Sequence, residues 1–462
     1  MGLNFTVEGQ YPPDIPHREE MERYGNLYAG RSSGRSFDIL NPDPELAKVN
    51  TPYDKDRKTV RPNIVADLVS SIASLEIGEH VDIKTGDDTV DLLLQQAGFD
   101  NTLLNIAEEK SAFGGCYVRV VYEPELSPTP EFIVTPPTHV APVFRGNRLV
   151  SASMWQTVKS NGSTVWRWVE HRDNQARTIT NLLYKGTEKT WGEQKLLDAI
   201  GETAGLKDTE QYPDGVDRLV FYVPNLLPNR RHLTSAQGRS DFAGSESQLA
   251  GLDLLYTSLI RDFRLGRARI VVPVEALNRQ GGGATFEQDR EVYTTLDIDP
   301  TSEGGKPVIL QGAIRAQEHL SAIQDLMGRV VSSAGFAPVS FGLGDLGNAQ
   351  SGTALRVREG KTISTIQAKR RYLLPAVLDM VKTFAALTGN PVEDVRVEWP
   401  AVRSESGLDL ANMVNTLTAA GAMSTVQAVE TIHPDWTDAQ VQEEVARIQG
   451  DTGQTVALPQ NF

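Results

Sequence analysis

The segment from Gly244 to Leu387 most constrains what this chain can fold into. Two helical patterns flank a β-patterned insert, and a glycine-containing loop then leads into one very long helix. The first helix is predicted over about 245–267, because apolar residues recur there every three to four positions. It begins with a capping-box sequence, Ser245-Glu-Ser-Gln248. The arrangement predicts a structural part and no catalytic pocket.

The remaining elements of this segment follow in a fixed order. The insert is predicted over 268–314, the second helix over 315–336 and the loop over 337–350. A long helix then starts at Ser351. Pro375 lies inside it, and proline lacks the N–H donor and crowds the carbonyl four residues earlier. We therefore expect a kink or a break near Pro375.

This order of elements resembles the portal (head-to-tail connector) proteins of tailed bacteriophages, of the long-tailed siphophage type. The matching residues are Leu252-Asp-Leu-Leu-Tyr256 through Arg267 in the first helix, Ile323-Gln-Asp-Leu-Met327 in the second, and Ser351-Gly-Thr-Ala-Leu355 at the start of the long helix. The resemblance implies an α+β fold with an α+β wing, a two-helix stem, a β-containing clip, a long kinked helix and a helical crown.

The resemblance also implies domain limits. They are 1–244 for the N-terminal wing, 245–267 for stem helix 1, 268–314 for the clip, 315–336 for stem helix 2, 337–350 for the tunnel loop, 351–403 for the long kinked helix and the return strand of the wing, and 404–462 for the crown and tail. Within the wing, period-2 segments between Cys116 and Tyr184 predict an antiparallel meander. Residues 224–242 are predicted to be a polar linker.

The function that the resemblance implies is mechanical, without enzyme activity or cofactor. Portal subunits form a ring, usually of twelve copies, at one capsid vertex. A terminase motor docked at the clip drives double-stranded DNA through the channel during packaging, and the DNA leaves the same way at ejection. The expected partners are copies of the chain itself, the terminase large subunit, a head-completion or adaptor protein, the major capsid protein with its scaffold, and DNA that passes without tight binding.

Two groups of site residues follow from the resemblance. The tunnel loop is expected to face the DNA with side chains that include no cation: Phe341, Leu343, Asp345, Leu346, Asn348 and Gln350. The clip is expected to present the surface that docks the motor or adaptor, with Glu287, Asp289, Arg290 and Glu291 exposed.

The net charge of the chain is compatible with a channel through which DNA slides. The chain has 45 Lys and Arg against 60 Asp and Glu, so its formal net charge is −15. Proteins that grip DNA neutralise phosphates with Lys and Arg, which makes this acidic chain a poor candidate for a tight nonspecific binder. The segment 351–388 is an exception, with seven cations against two acids. These cations are either a solvated or salt-bridged helix face, or they pair with neighbouring subunits or line the channel.

No sequence motif predicts an active site. Gly342-Leu-Gly-Asp-Leu-Gly347 matches the spacing of a dinucleotide fingerprint, but no buried strand precedes it, so a loop is predicted. Gly281-Gly-Gly283 lacks the Lys and Ser/Thr of a P-loop, which argues against a packaging ATPase. The seven histidines show no metal-ligand spacing. The single cysteine, Cys116, is predicted to be a small buried residue.

Two other classes of protein stay open on sequence alone. A phage nucleic-acid-processing enzyme such as a nuclease would be supported by metal-dependent cleavage of DNA by the pure protein. Another ring-forming capsid or adaptor protein would be favoured by images without an axial channel. The sequence has no apolar run long enough to span a bilayer and no secretory signal. We therefore expect no membrane contact, assembly in the host cytoplasm and a final place in the virion.

Overall fold

The structure is a computed structural model that describes residues 11–13, 15–30, 60–265, 269–271, 308–310, 314–343, 352–402, 414–418, 420–433, 436 and 438–453. The chain divides into two compact units. The larger contains residues 1–347 and 358–399, and the smaller contains 348–357 and 400–462. Both helices and strands are well represented, as the predicted α+β class requires.

Nine helices are named here. They are α1 (Arg18–Tyr28), α2 (Ile64–Ile77), α3 (Asp88–Gln96), α4 (Phe99–Phe113), α5 (Glu246–Leu265), α6 (Ala316–Ala334), α7 (Gly352–Leu387), α8 (Thr425–Ile432) and α9 (Asp438–Gly453). The helix α7 continues through Pro375. Of the two outcomes that the sequence predicts at this proline, a break is therefore excluded, and a bend stays a prediction. In the part of the chain that the structure describes, no helix is long and apolar enough to cross a membrane.

The strands are β1 (Asp82–Lys84), β2 (Gly115–Val121), β3 (Glu131–Thr135), β4 (Val140–Arg145), β5 (Arg148–Asn161), β6 (Thr164–Asp173), β7 (Thr178–Thr187), β8 (Thr190–Lys195), β9 (Thr209–Gln211), β10 (Val220–Pro224), β11 (Arg269–Val271), β12 (Val308–Leu310) and β13 (Arg396–Glu398). All of their pairings are antiparallel. The prediction of antiparallel pairing in the wing is confirmed. The sequences Arg145-Gly-Asn147 and Ser160-Asn-Gly-Ser163 predict turns between strands. Both turns are confirmed, between β4 and β5 and between β5 and β6, and Gly146 and Gly162 in them both have φ of 59°.

The predicted single meander is divided between two sheets, which corrects the sequence-based topology. The strands β10, β2 and β3 form a three-stranded sheet, and β4 to β8 form a second sheet that β9 joins through β7. The sequence pattern predicts no strand over 140–145, where Pro142 interrupts the residues of β4. Proline is tolerated at the edge of a sheet, where its missing N–H breaks no ladder, and β4 is an edge strand.

The main core lies between the three-stranded sheet and the helices α2, α3, α4 and α7. Val118 and Val223 from the sheet, Leu103 and Ile106 from α4, and Phe384 from α7 are all buried in it. Cys116 is also fully buried there, and burial raises the pKa of its thiol well above the usual range. The prediction that this cysteine is a small buried residue is confirmed.

The segment 224–242, predicted as a polar linker, is instead packed into the larger unit. Asn225, Ser240 and Asp241 are each at most 1% exposed, and so is Phe242. Asn225 donates a hydrogen bond to the Arg239 carbonyl (3.0 Å), and the Asn225 N–H donates to the Gly114 carbonyl (2.9 Å). Polar residues can be buried when they are hydrogen-bonded in this way, so composition alone does not identify a linker.

The sequence predicts helix caps at Ser245 and, from the capping box Ser424-Thr-Val-Gln427, at Ser424. Ser424 accepts a hydrogen bond from the Gln427 N–H at 3.2 Å, so the second cap is confirmed. The prediction of a capping box at Ser245 is wrong, because neither the Ser245 hydroxyl nor Gln248 Oε1 has a hydrogen-bond partner among the described residues. In the smaller unit, the helices α8 and α9 pack through Val429, Val441 and Val445.

Candidate functional site

The helices α5 and α6 form an antiparallel hairpin. Asp262 near the end of α5 contacts Arg315 (3.0 Å) and His319 (3.1 Å) at the beginning of α6. Near the other end of the hairpin, Gly251 faces the Leu326 side chain. The hairpin confirms that two helices flank the segment 268–314, as the sequence predicts.

Large apolar side chains remain exposed on both helices of this hairpin. Leu252 and Leu259 of α5 and Ile323 and Val330 of α6 are buried. The exposed fractions are 48% at Leu254, 43% at Ile260, 46% at Phe263 and 45% at Leu320. Leu254 and Phe263 are nine residues apart and point to opposite sides of α5, so the exposed side chains are not confined to one face.

The beginning of α5 is held by the N-terminal part of the chain. Arg231 forms an ion pair with Glu246 at 2.7 Å, and the Tyr24 hydroxyl donates to the same carboxylate at 3.1 Å. One turn further along the chain from Leu252, Thr257 Oγ1 accepts a hydrogen bond from the Val60 N–H at 3.0 Å. These contacts fix the orientation of the hairpin relative to α1.

The loop that follows α6 has a well-defined start. The N–H of Gly335 donates to the Ser332 carbonyl, and the N–H of Phe336 donates to the Val331 carbonyl, which is a Schellman ending. Gly335 has φ of 99°. A Cβ at this position would also lie 3.1 Å from Thr365 Oγ1. Glycine is therefore required here for both its backbone conformation and its size.

Helix α7 anchors the same region with two threonines. The Ala337 N–H donates to Thr362 Oγ1 at 2.9 Å, and the hydroxyls of Thr362 and Ser340 are also 2.9 Å apart. The Thr365 hydroxyl donates to the Gly335 carbonyl at 2.5 Å. We call residues 335–343 with Thr362 and Thr365 the loop root. It holds the first residues of the predicted tunnel loop against α7.

Two of the six predicted tunnel-loop residues lie in the loop root. Phe341 ends a short 3₁₀ helix and packs edge-on against the buried Phe336, with ring centroids 5.8 Å apart. Leu343 lies at the border of two open clefts of about 690 and 620 Å³. Both side chains are half-buried. Asp345, Leu346, Asn348 and Gln350 lie outside the described residues, as do the clip residues Glu287, Asp289, Arg290 and Glu291, so these assignments stay predictions.

A buried ionic cluster fixes α7 to the rest of the larger unit. Lys110 contacts Glu76 at 2.5 Å and Lys369 contacts Asp241 at 2.5 Å, and all four side chains have no exposed surface. Lys369 also lies 4.0 Å from Glu76, so the two pairs form one neutral group. Burial lowers the pKa of Lys110, while the charge of Glu76 opposes that shift.

Further hydrogen bonds complete this cluster. Ser111 donates to Asp241, and the Asn225 amide donates to the other Asp241 oxygen at 2.8 Å. The Arg370 Nε–H donates to the Glu76 carbonyl at 2.7 Å. Buried ions of this kind need both an opposite charge and hydrogen bonds. The cluster joins α2, α4, the segment before α5, and α7.

The cluster shows which of the two interpretations of the cations in 351–388 applies to one of them, Lys369. Lys369 is neither solvated nor available to a neighbouring subunit, because it is salt-bridged inside its own chain. The sequence does not predict its partner Asp241, which is 128 residues away. Thr362 and Thr365 were also missed, because single threonines in a long helix carry no distinctive pattern.

Without any comparison with known proteins, the geometry indicates a structural subunit. It carries a helical hairpin with exposed apolar side chains and a loop that is anchored at its base. No group of three or more metal-ligating side chains occurs among the described residues. The family described as "Phage portal protein, SPP1 Gp6-like" matches residues 7–456. The chain therefore belongs to this family of phage portal proteins, as the sequence predicts. It is a portal ring subunit and a component of the virion.

Comparisons with curated proteins and with solved structures add less detail than the family match. No curated protein matches the sequence. Among solved structures, a chain in the neck of an empty GTA particle has 11% identity and a TM-score of 0.46, covering 92% of this chain and 95% of that chain. A chain in the neck of the native particle has 11% identity and a TM-score of 0.40, with 80% and 89% covered. A chain of the native gene transfer agent virion has 11% identity and a TM-score of 0.43, with 93% and 96% covered.

Proposed function

We propose that twelve copies of this chain form a ring at one capsid vertex and that double-stranded DNA passes through its axial channel during packaging and ejection. Membership of the portal family supports the ring. The formal charge of −15 supports passage without tight binding, because few phosphates would be neutralised. We expect the rings to assemble in the host cytoplasm.

The observation that carries this proposal is the set of exposed apolar side chains on the hairpin. Leu254, Ile260 and Phe263 on α5 and Leu320 on α6 are each more than two-fifths exposed. A ring gives every copy two neighbours, and each neighbour can cover some of these side chains. Burying apolar surface in this way favours association by about 25 cal/mol per Å² before its costs.

The loop that begins at the loop root is the part that would meet DNA. Its first residues are held by hydrogen bonds to Thr362 and Thr365. A loop anchored at its base can project into a channel without being displaced when DNA passes. Its six named side chains include no cation, so contact with DNA would be steric and would not form phosphate ion pairs.

The remaining partners are proposed from the family resemblance. The clip, residues 268–314, would dock the terminase large subunit during packaging and a head-completion or adaptor protein afterwards. The major capsid protein and its scaffold would surround the ring at the vertex. Family membership alone assigns no enzyme activity to this chain.

Mass and imaging of the purified assembly test the ring. The expected result is a mass near a dozen times 50.6 kDa, with an axial channel in negative-stain images. The double variant Leu254→Glu and Phe263→Glu should release subunits from the ring, whereas Leu126→Glu with Leu196→Glu should not. The control residues are 82% and 75% exposed and lie outside the hairpin. A wild-type protein that stays monomeric at micromolar concentration would refute the proposal.

A further inference from the structure

One cleft in the larger unit is basic, although the chain as a whole is acidic. It has a volume of about 550 Å³ and lies between the β4–β5 hairpin, the segment 213–218 and helix α7. A second cavity of about 530 Å³ shares several of its lining residues. Together they are lined by Arg145, Arg148, Arg177, Arg218, Arg371 and Lys382. Only two carboxylates, Asp217 and Asp379, accompany these six cations, which leaves a net charge of +4.

Most of these cations have no partner of their own. Arg218 pairs with Asp379, and Arg177 donates to the carbonyls of Val216 and Pro213 at 3.1 Å each. The other four, Arg145, Arg148, Arg371 and Lys382, are exposed and form no ion pair with any described residue. Clustered like charges repel one another, so an anionic group placed between them would be stabilised.

The same unit carries a strongly acidic edge. We define the acidic edge as residues 79–91 and 393–398, which include the paired strands β1 and β13. Its eight acids are Glu79, Asp82, Asp87, Asp88, Asp91, Glu393, Asp394 and Glu398, and its two formal cations are Lys84 and Arg396, which gives −6. Asp87 caps α3, and Asp91 accepts from Thr85, so those two already have structural roles.

The strand pairing makes this edge unusual. Asp82 lies directly opposite Glu398, and Lys84 lies directly opposite Arg396. Like charges in directly opposed positions destabilise a sheet. Lys84 relieves part of the repulsion by contacting Asp82 at 3.2 Å. Glu393, Asp394 and Glu398 are exposed and have no ion-pair partner among the described residues, so the edge would gain from external cations.

The basic cleft and the acidic edge lie on different sides of α7. Arg371 lines the cleft, and Lys382 follows it eleven residues later on the same helical face. Arg370, the residue before Arg371, lies over the Trp399 ring at 5.4 Å. Trp399 directly follows β13 in the sequence. Successive residues of an α-helix point about 100° apart. The two charged surfaces therefore point in different directions, and one chain does not bring its own acidic edge to its own cleft.

We propose that the basic cleft binds the acidic edge of a second copy of this chain. Such a contact joins two different surfaces, and contacts of this head-to-tail type form a ring when the rotation between successive copies closes. The inference rests on the proposed ring and names one of its contacts. Duplex DNA is disfavoured as the occupant, because the chain as a whole carries a formal charge of −15 and would repel its phosphates.

Charge exchange tests this contact. Arg145→Glu with Arg148→Glu should raise the subunit concentration needed for half-assembly about tenfold at low salt, and Glu393→Lys with Asp394→Lys should do the same. The effect should shrink as salt increases, because these charges are exposed. The chain with all four changes should recover part of the lost assembly, since the exchanged charges attract each other with reversed sign. Assembly is measured by sedimentation over a concentration series, and circular dichroism checks the fold.

A matched control is Lys189→Glu with Lys207→Glu, two exposed positions outside both surfaces; it should leave assembly unchanged. Failure of the four-fold variant to recover would overturn the proposal. If Arg145→Glu with Arg148→Glu leaves the rings intact and instead lowers retention of a 30-base-pair duplex, the cleft is a nucleic-acid contact and the proposal is also overturned. A wild-type chain that never assembles would refute the proposed ring. Failure of the proposed contact is therefore distinguishable from failure of the ring.

Discussion

The ammonium group of Lys369 lies 2.5 Å from a carboxylate oxygen of Asp241, and both side chains are fully enclosed. The pair links the long helix α7 to the segment that precedes α5. Because α7 also holds the loop root through Thr362 and Thr365, this buried pair sets the position of the loop as well as the packing of the core.

Removing one partner of this pair should destabilise the subunit strongly. In Lys369→Met, Asp241 would keep a buried charge with only Ser111 and Asn225 as partners. We expect the free energy of unfolding to fall by about 3–5 kcal/mol. Urea denaturation at one fixed subunit concentration measures it. Lys189→Met, at an exposed position outside both charged surfaces, is the control, and a loss no larger than in this control would contradict the assignment.

Glu109 should make stability depend on pH around neutrality. Burial raises the pKa of this carboxyl from 4.5 to about 7, with a smaller contribution from Glu108, and its Oε2 has no hydrogen-bond partner in the described part of the chain. The folded state therefore retains a proton that the unfolded state loses at lower pH. The free energy of unfolding should fall as pH rises from about 4.5 to about 7, by at most about 3 kcal/mol, and then level off.

The variant Glu109→Gln isolates this contribution. Its amide does not ionise, so the difference in unfolding free energy between variant and wild type should change between pH 5 and pH 8. All other ionisable residues are the same in both proteins, so their contributions cancel in this difference. A difference that is constant over this range would show that Glu109 keeps its usual pKa.

Local patterns predicted the helices and most strands, because the periodicity of apolar residues and the position of turn glycines are properties of short stretches of sequence. The hairpin helices, the turns at Gly146 and Gly162 and the burial of Cys116 all follow from short stretches of sequence. The division of the strands into two sheets does not, since each strand alone is compatible with either sheet.

The error over 224–242 has one physical cause, which is pairing between distant residues. The segment has the composition of a linker, but Asp241 is enclosed by Lys369 from α7 and Ser111 from α4. This environment is not visible in the residues nearby, because it is created by chain that lies far away in sequence. Ser245 has the sequence of a capping residue, yet its buried hydroxyl has no hydrogen-bond partner among the described residues.

Thr362→Val should loosen the loop root without changing the size of the side chain much. It removes the acceptor for the Ala337 N–H and the partner of the Ser340 hydroxyl. Leaving a buried donor unsatisfied costs about 1–3 kcal/mol. We expect faster amide hydrogen exchange at residues 336–343. Ser364→Ala, an exposed position two residues away, should exchange like wild type, and equal rates in both variants would refute the anchoring role.

The clip prediction is tested by reversing four charges. Glu287→Lys, Asp289→Lys, Arg290→Glu and Glu291→Lys should leave rings intact but abolish DNA packaging, because the docked motor would meet charges of the wrong sign. The control reverses three acids and one base elsewhere: Glu123→Lys, Glu125→Lys, Glu188→Lys and Lys189→Glu, all exposed. Normal packaging by the clip variant would place the docking surface elsewhere.

Adding lysines to the loop tests whether it meets DNA in the channel. Leu343→Lys, Asp345→Lys and Leu346→Lys change the charge of each subunit by +4 and add phosphate contacts at every copy of the loop. DNA translocation during packaging and release during ejection should both slow, and the effect should weaken steeply as salt increases, because phosphate contacts release counterions. The loop root would still hold the base of the loop, since Thr362 and Thr365 are unchanged.

The control for the loop variant carries the same added charge at a distant surface. Glu125→Lys, Leu126→Lys and Leu196→Lys also add +4, and all three positions are exposed. This protein should package and eject DNA at the wild-type rate if only charge near the DNA path matters. Slowing in both proteins would indicate a general electrostatic effect. Unchanged packaging and ejection in the loop variant would place residues 338–350 away from the DNA path.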